Sequence, residues 1–297
     1  MGDRAAAPAG ATESTFDLAS GRIAALSWGD PEAPPLVAIH GWLDNAASFN
    51  AIAPLLSERF HVLALDLPGH GHSAHRPAGE SYELLDYVRD LALLVEGQLA
   101  QPVTLVGHSL GGIVASLLAA SRPGWVDQLI MIDSLGPMVG EPEAFPGQLG
   151  KALERMVNGS RGEPPSYASL DEAVQARMGG RIPLTREAAA HIVPRNLHDQ
   201  EPPWQWRTDP RLRYPSMHKL EEAEVQACLK AIECRALVVR ASQGLLAYAQ
   251  DMTGRRLGLM PRETLLEFEG GHHCHLDGDC SQLASACLEW LEPNRPD

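Results

Sequence analysis

The chain has 297 residues, 44% hydrophobic and 21% charged, which suits one large core carrying an insertion. A formal net charge of −14 argues against nucleic acid and anionic membrane as partners. No apolar run reaches the roughly 18 residues of a membrane-crossing helix, and residues 1–10 are Ala/Pro-rich without the apolar centre of a signal peptide, so a cytoplasmic protein is expected.

Residues 1–14 read as a flexible lead. Residues 15–28 read as a hairpin turning at Ser20-Gly21, and Leu36-Val37-Ala38-Ile39 is a short buried strand. His40-Gly41-Trp42-Leu43-Asp44-Asn45 follows. Its glycine lets the backbone bend so that the Trp42 N–H can face a substrate oxygen; the plain alternative is a turn with a helix cap at Asp44 or Asn45. Residues 48–56 read as helix and 61–65 as strand. Asp66-Leu67-Pro68-Gly69-His70-Gly71-His72-Ser73 is then a tight loop made by one proline and two glycines. Asp66 is not expected to be a catalytic acid, and His70, His72 and His75 read as solvated or supporting groups. Residues 81–99 form an amphipathic helix with Leu84, Tyr87, Val88, Leu91, Leu94 and Val95 on its apolar face.

The centre of the chain is Gly107-His108-Ser109-Leu110-Gly111, between an apolar β-branched strand (103–106) and a small-residue helix (112–120). A serine on so short a strand-to-helix turn stands clear of the sheet, and glycines on either side let strand and helix approach. The plain alternative is a helix start with a capping serine. Residues 126–133 are another buried strand, ending at Asp133. Strand and helix alternate up to this point, which predicts an α/β fold with a mostly parallel, doubly wound sheet. From Ser134 the texture changes. Prolines break up short helical patterns at 152–157, 169–178 and 185–195, with no strand between them, so 135–231 reads as a helical cap inserted into a core of 15–134 and 232–297. Trp204 and Trp206 either line a pocket or pack the cap. The core resumes with a strand (236–240), a helix (246–257) and a last strand (264–269). Gly270-Gly271-His272-His273-Cys274-His275-Leu276-Asp277 and a closing helix (281–291) follow. The five cysteines, Cys228, Cys234, Cys274, Cys280 and Cys287, are odd in number and confined to the C-terminal part, which fits reduced thiols better than a disulfide framework.

The order of the G-x-S-x-G turn, the upstream His-Gly pair, the D-x-P-G-x-G-x-S loop and the late G-G-H resembles the α/β-hydrolase superfamily. That resemblance implies a nucleophile at Ser109 and an oxyanion hole from the N–H groups of Trp42 and Leu110. It also implies a base on the loop after the last strand. His272 fits the base, with His273 the runner-up and His275 supporting the loop. A metal site made from His272, His273, Cys274, His275, Asp277 and Asp279 is disfavoured, because successive residues on one short segment do not easily converge on one ion; no metal or cofactor is expected. The usual acid position, after strand 236–240, reads Arg240-Ala241-Ser242-Gln243-Gly244 and holds no carboxylate; the next acid, Asp251, falls in a helix. Asp133 closes the neighbouring strand. Strands lie about 4.8 Å apart, so its carboxylate can reach the histidine by another path; alternatively it only braces the entry to the cap.

At a finer level the segment from His40 to Phe49, Ile130-Met131-Ile132-Asp133 and His272-x-x-His275 look similar to the serine hydrolase-like proteins of this superfamily. That group implies no defined substrate; the expectation is hydrolysis of small or medium carboxylic esters by Ser109, His272 and Asp133, with Trp42 and His108 bordering the substrate. Other chemistries open to the same residues are those of a cofactor-free haloperoxidase or perhydrolase and of a C–C bond hydrolase. A small-molecule receptor or degenerate hydrolase with weak turnover is a non-enzymatic alternative, motivated by the missing carboxylate after Arg240.

Overall fold

The computed structural model describes residues 10–159, 165–180, 182–198 and 202–292. In chain order the first elements are β1 (Thr12–Leu18), β2 (Gly21–Trp28), β3 (Pro35–Ile39), α1 (Ala53–Leu56), β4 (His61–Leu65), α2 (Leu84–Gln98), β5 (Val103–His108), α3 (Leu110–Ser121) and β6 (Val126–Ile132). The inserted region holds α4 (Phe145–Asn158), β7 (Ser166–Tyr167), α5 (Leu170–Met178), α6 (Arg186–Ile192) and β8 (Trp204–Gln205). Then come α7 (Glu222–Lys230), β9 (Arg235–Gln243), α8 (Leu245–Tyr248), α9 (Gln250–Arg256), β10 (Glu263–Gly271) and α10 (Cys280–Trp290).

Eight strands form one sheet in the order β1-β2-β4-β3-β5-β6-β9-β10. The β1–β2 hairpin and the β2–β4 pairing are antiparallel, and β4, β3, β5, β6, β9 and β10 run parallel. The central strands are apolar at nearly every position because both faces are covered. Val37, Ile39, Leu105, Leu129, Met131 and Val238 point to one side, under α2, α3 and α7. Leu36, Ala38, Val106, Ile130, Ile132 and Val239 point to the other, where Phe49, Leu56, Leu283 and Trp290 meet them. Truncating one of these buried leucines or isoleucines to Ala costs about 2–5 kcal/mol by analogy with other cores.

Register sets the functional edge. His108 of β5 lies opposite Ile132 of β6, and Ile132 lies opposite Val239 of β9. The next residues, Ser109 and Asp133, therefore leave the sheet side by side at its carboxyl edge, level with Arg240 of β9, where open α/β sheets hold their ligands.

Several expected boundaries shift for local reasons. Strand β1 begins at Thr12, inside the segment expected to be flexible; residues 1–9 of that segment lie outside the described residues. The helix expected over 48–56 is two short turns: a 3-10 turn (Ala46–Phe49) capped by Asn45, whose Oδ1 accepts from Ala47 N at 2.9 Å, and α1 with Pro54 in its first turn. The helix expected over 246–257 breaks at Ala249 into α8 and α9. The inserted region contains a short antiparallel pair, β7 with β8, where no strand was expected. Helix α7, placed in the cap by the expected boundary at 231, buries Val225 and Leu229 in the cluster shared with α2 and α3. Trp204 and Trp206 pack on the cap's own core of Ala173, Ala189, Ile192 and Leu197, and Trp206 Nε1 donates to the Tyr167 hydroxyl at 2.9 Å. All five cysteines are unpaired. Among the described residues no helix is long and apolar enough to cross a membrane.

A buried ion network fastens the cap to the core. Arg195, just after α6, donates through Nε to both Asp66 oxygens at 3.1 and 2.9 Å, and through Nη2 to Glu13 of β1 at 3.1 Å. Burial works against the Glu13 charge, but His72 and Arg195 outweigh it and hold the carboxyl at about 2 against an ordinary 4.5. A depressed folded-state pKa contributes stability that is present above the unfolded value and is lost as pH falls through the folded one. Glu13→Gln is therefore expected to lower the urea midpoint at about pH 6, and the gap to the parent chain is expected to close as pH falls from 4.5 toward 2. A gap that stays constant over that window would remove the network from the account.

Candidate active site

Ser109 occupies the turn between β5 and α3 with φ +51° and ψ −116°, a region that side chains avoid and that costs about 1–3 kcal/mol. Close packing enforces it. The Ser109 N–H donates to Ile132 O at 3.1 Å, and the Ser134 hydroxyl donates to Ser109 O at 2.7 Å. A Cβ on Gly111 would collide with the Ile39 carbonyl, and one on Gly107 with the backbone of Gly111 and Gly112. The glycines of the sequence motif are thus required by the approach of helix to strand. Ser109 itself remains partly exposed.

The loop after β3 faces this turn. Its shape is held by two buried neutral histidines. The Leu67 N–H donates to His40 Nε2 at 3.0 Å, while His40 Nδ1–H donates to Gly41 O at 2.7 Å. The Leu43 N–H donates to His70 Nε2 at 3.2 Å, which helps hold Leu43 at φ +66°. Burial, reinforced by His40, pushes His70 down to about 3, so it accepts this bond as an uncharged ring at neutral pH. Trp42 sits between, 42% exposed, and its indole N–H donates to Leu212 O at 3.0 Å, joining the loop to the segment before α7. His75 lies at the surface near Asp209.

Asp133 leaves β6 with φ +45°, its N–H bonded to Val239 O at 2.8 Å. Its carboxylate is buried and takes three donors. His272 Nδ1–H donates at 2.6 Å, Leu245 N–H at 2.6 Å and Leu246 N–H at 3.2 Å. The two backbone donors open α8, immediately after the stretch that lacks a carboxylate. The two residues that follow the Arg240–Gly244 segment therefore supply hydrogen-bond donors to the acid of the neighbouring strand. A Cβ on Gly244 would collide with that carboxylate. The structure thus brings Asp133 and His272 together. With Nδ1 protonated against Asp133, His272 Nε2 carries the lone pair and can act as a base.

His273 and His108 sit elsewhere than expected. His273 turns away from Asp133, and its Nε2–H donates to Asp44 Oδ2 at 3.0 Å. His108, expected at the substrate, is wholly buried; its Nε2–H donates to the carbonyl of His272 at 2.9 Å and supports the loop that carries His272. The corrected contact follows from strand geometry: His108 is the last residue of β5, and its side chain points beneath the turn. His275 is also buried, its ring 4.2 Å from that of His108 and 5.2 Å from Phe49. Asp66 faces Arg195 and the Ala46 and His72 N–H groups, away from His272. Sequence reading missed Asp44 as anything beyond a helix cap. It is buried between His273 and Arg177, the latter at 2.8 Å; burial opposes its charge, but both partners hold its carboxyl below the usual range.

Sheet order, strained serine turn and buried Asp–His pair define an α/β hydrolase, and the chain belongs to the alpha/beta hydrolase family, whose pattern it matches over residues 36–286. Within it the chain falls in the serine hydrolase-like group. It is 31% identical to a probable serine hydrolase of Drosophila melanogaster, over 86% of this chain and 80% of that one. It is similar to esterase Rv0045c of Mycobacterium tuberculosis, 33% identical over 64% of this chain and 61% of that one. The crystal structure of the hypothetical protein PA1622 from Pseudomonas aeruginosa PAO1 matches with a TM-score of 0.87 and 39% identity, covering 93% of this chain and 97% of that one.

If the Asp133–His272 contact orients the base, Asp133→Asn lowers kcat on an activated ester by up to about 10⁴, because the amide favours the wrong tautomer. Gly244→Ala removes no functional group yet is expected to lower kcat as well, by displacing the carboxylate. Both are checked by steady-state kinetics beside circular dichroism of the folded variants; full activity in Asp133→Asn would dismiss the acid.

Proposed function

We propose that the chain is a serine hydrolase acting on carboxylic esters of small or medium size. The observation that carries this reading is the 2.6 Å bond between buried Asp133 and His272 at the same sheet edge as the strained Ser109 turn. In this mechanism the Ser109 Oγ attacks the acyl carbonyl while His272 Nε2 takes its proton. Asp133 keeps the proton on Nδ1 and offsets the imidazolium charge. The N–H groups of Trp42 and Leu110 bind the oxyanion. His272 then returns its proton to the departing alcohol, and an acyl group stays on Ser109. Water, deprotonated by His272, attacks that acyl carbon and releases the acid and the free serine. The receptor alternative rested on the missing carboxylate after Arg240, and Asp133 on the next strand offers another source for that group.

The substrate class is read from a cavity bordered by Leu110, the residue after the serine. It measures about 400 Å³ and is lined by Leu110, Ile113, Pro137, Met138, Met217 and Leu220. Glu83, His218 and Lys219 also border it. Apolar walls next to the oxyanion donor of Leu110 favour an acyl chain of several carbons, because each buried methylene contributes about 0.8 kcal/mol. The similarity to an esterase supports the ester part of the reading.

Two experiments test the reading. A fluorophosphonate probe is expected to label the parent chain and not Ser109→Ala. On a p-nitrophenyl ester series, kcat/KM is expected to rise from acetate to a medium chain and then fall. Ile113→Trp, which fills the cavity, is expected to cut the medium-chain value at least tenfold and spare acetate. Labelling of Ser109→Ala would overturn the nucleophile, and unchanged chain-length preference in Ile113→Trp would overturn the acyl site.

A further inference from the structure

A second buried cluster lies beside the Asp133–His272 pair, and the hydrolase reading does not use it. Asp44, His108 and His273 come from the loop after β3, the end of β5 and the loop after β10, and their ligand atoms lie within 4.8 Å of one another. His108 donates its Nε2–H to the His272 carbonyl. A carbonyl only accepts, so that bond fixes the proton on Nε2 and leaves Nδ1 of the uncharged ring with a bare lone pair. Among the described residues that Nδ1 has no hydrogen-bond partner, and it faces Asp44 Oδ2 at 3.9 Å. Two acceptors thus point at each other, an arrangement that a cation satisfies.

The same carboxylate oxygen receives His273 Nε2 at 3.0 Å. Space beside these atoms is kept by Gly41. A Cβ there would stand 2.9 Å from His108 Nδ1 and 3.2 Å from the Asp44 Oδ2 atom, so any larger residue would fill the gap. We propose that His108 Nδ1, His273 Nε2 and Asp44 Oδ2 form a binding site for a late first-row transition ion, with Zn²⁺ the best fit. Two imidazoles and a carboxylate are the donor set that such ions take. Bonds of about 2.0–2.2 Å in a tetrahedron place ligand atoms roughly 3.3 Å apart; here Asp44 Oδ2 stands 3.0 and 3.9 Å from the two nitrogens, and no pair of the three is more than 4.8 Å apart.

The outer groups also fit. The far nitrogen of His108 is held by a backbone carbonyl, the usual means of fixing a metal-binding imidazole. Binding displaces the proton between His273 Nε2 and Asp44. The neutral ring keeps its one proton, which moves to His273 Nδ1, an atom with no hydrogen-bond partner among the described residues. An ion there links three segments that also carry Trp42, Ser109 and His272. Arg177 places a positive charge beside the site and lowers its affinity.

The test uses the full chain, stripped with chelator and titrated with Zn²⁺ against a chromophoric competitor, with activity not needed as a readout. One equivalent is expected to bind. His273→Gln and Asp44→Asn are each expected to lose at least about 100-fold in affinity, more than loss of an outer group costs. Arg177→Gln is expected to bind more tightly, the opposite sign to general damage. Co²⁺ bound to the unaltered chain is expected to give tetrahedral ligand-field bands without a thiolate charge-transfer band, a readout that needs no variant. Absence of stoichiometric binding, equal affinity in His273→Gln, or a thiolate band would each overturn the site.

Discussion

The carboxylate of Asp133 is the interaction on which the rest of this site depends. It is buried, it leaves its strand with a positive φ, and it is satisfied by three donors from two other segments. A buried carboxylate without partners would cost several kcal/mol. Here the first N–H groups of α8 remove that cost and fix the direction of the remaining oxygen lobe toward His272. Gly244 is the steric condition for the arrangement, since any side chain there would occupy the carboxylate's place.

A second constraint is the way histidines are shared out. The chain carries three of them within four residues, His272, His273 and His275, and a fourth, His108, packs among them. Only His272 meets Asp133. His273 is drawn off by Asp44, which Arg177 holds from the cap side. His108 supports the His272 carbonyl, and the His275 ring packs against His108 at a tilt. The division places one imidazole at the proposed reaction centre and uses the others to position loops, with Asp44 leaving a pair of converging lone pairs at its edge. The inserted region reaches the same place through the bonds of Trp42 to Leu212, Arg177 to Asp44 and Arg195 to Asp66, so it is tied directly to the loops after β3 and β4.

The core of this fold was readable because its signals are local. Apolar runs mark strands buried on both faces, and small residues around Ser109 mark the close approach of strand to helix. The placement of Asp133 was readable for a similar reason, since adjacent parallel strands bring their ends level. What could not be read involves partners far apart in the chain. Ser166 and Tyr167 form a strand only because Gln205 and Trp204 lie opposite. Asp44 has the same local surroundings as a helix cap, and nothing near it announces His273 or Arg177. His108 was misplaced because its position in the motif suggests exposure, whereas the alternation along β5 turns it under the sheet edge. Helix α7 carries a surface-like sequence around two residues, Val225 and Leu229, so its packing against the cluster of α2 and α3 is not announced locally.

The most direct test of the central claim is a proton NMR spectrum of the full chain with ¹⁵N-labelled histidine. A proton held between His272 Nδ1 and the Asp133 carboxylate should appear as a far-downfield resonance on a protonated Nδ1, with Nε2 of the same ring unprotonated. That resonance should vanish in Asp133→Asn while the protein stays folded. A downfield proton that persists in Asp133→Asn, or a His272 ring protonated on Nε2 alone, would contradict the account.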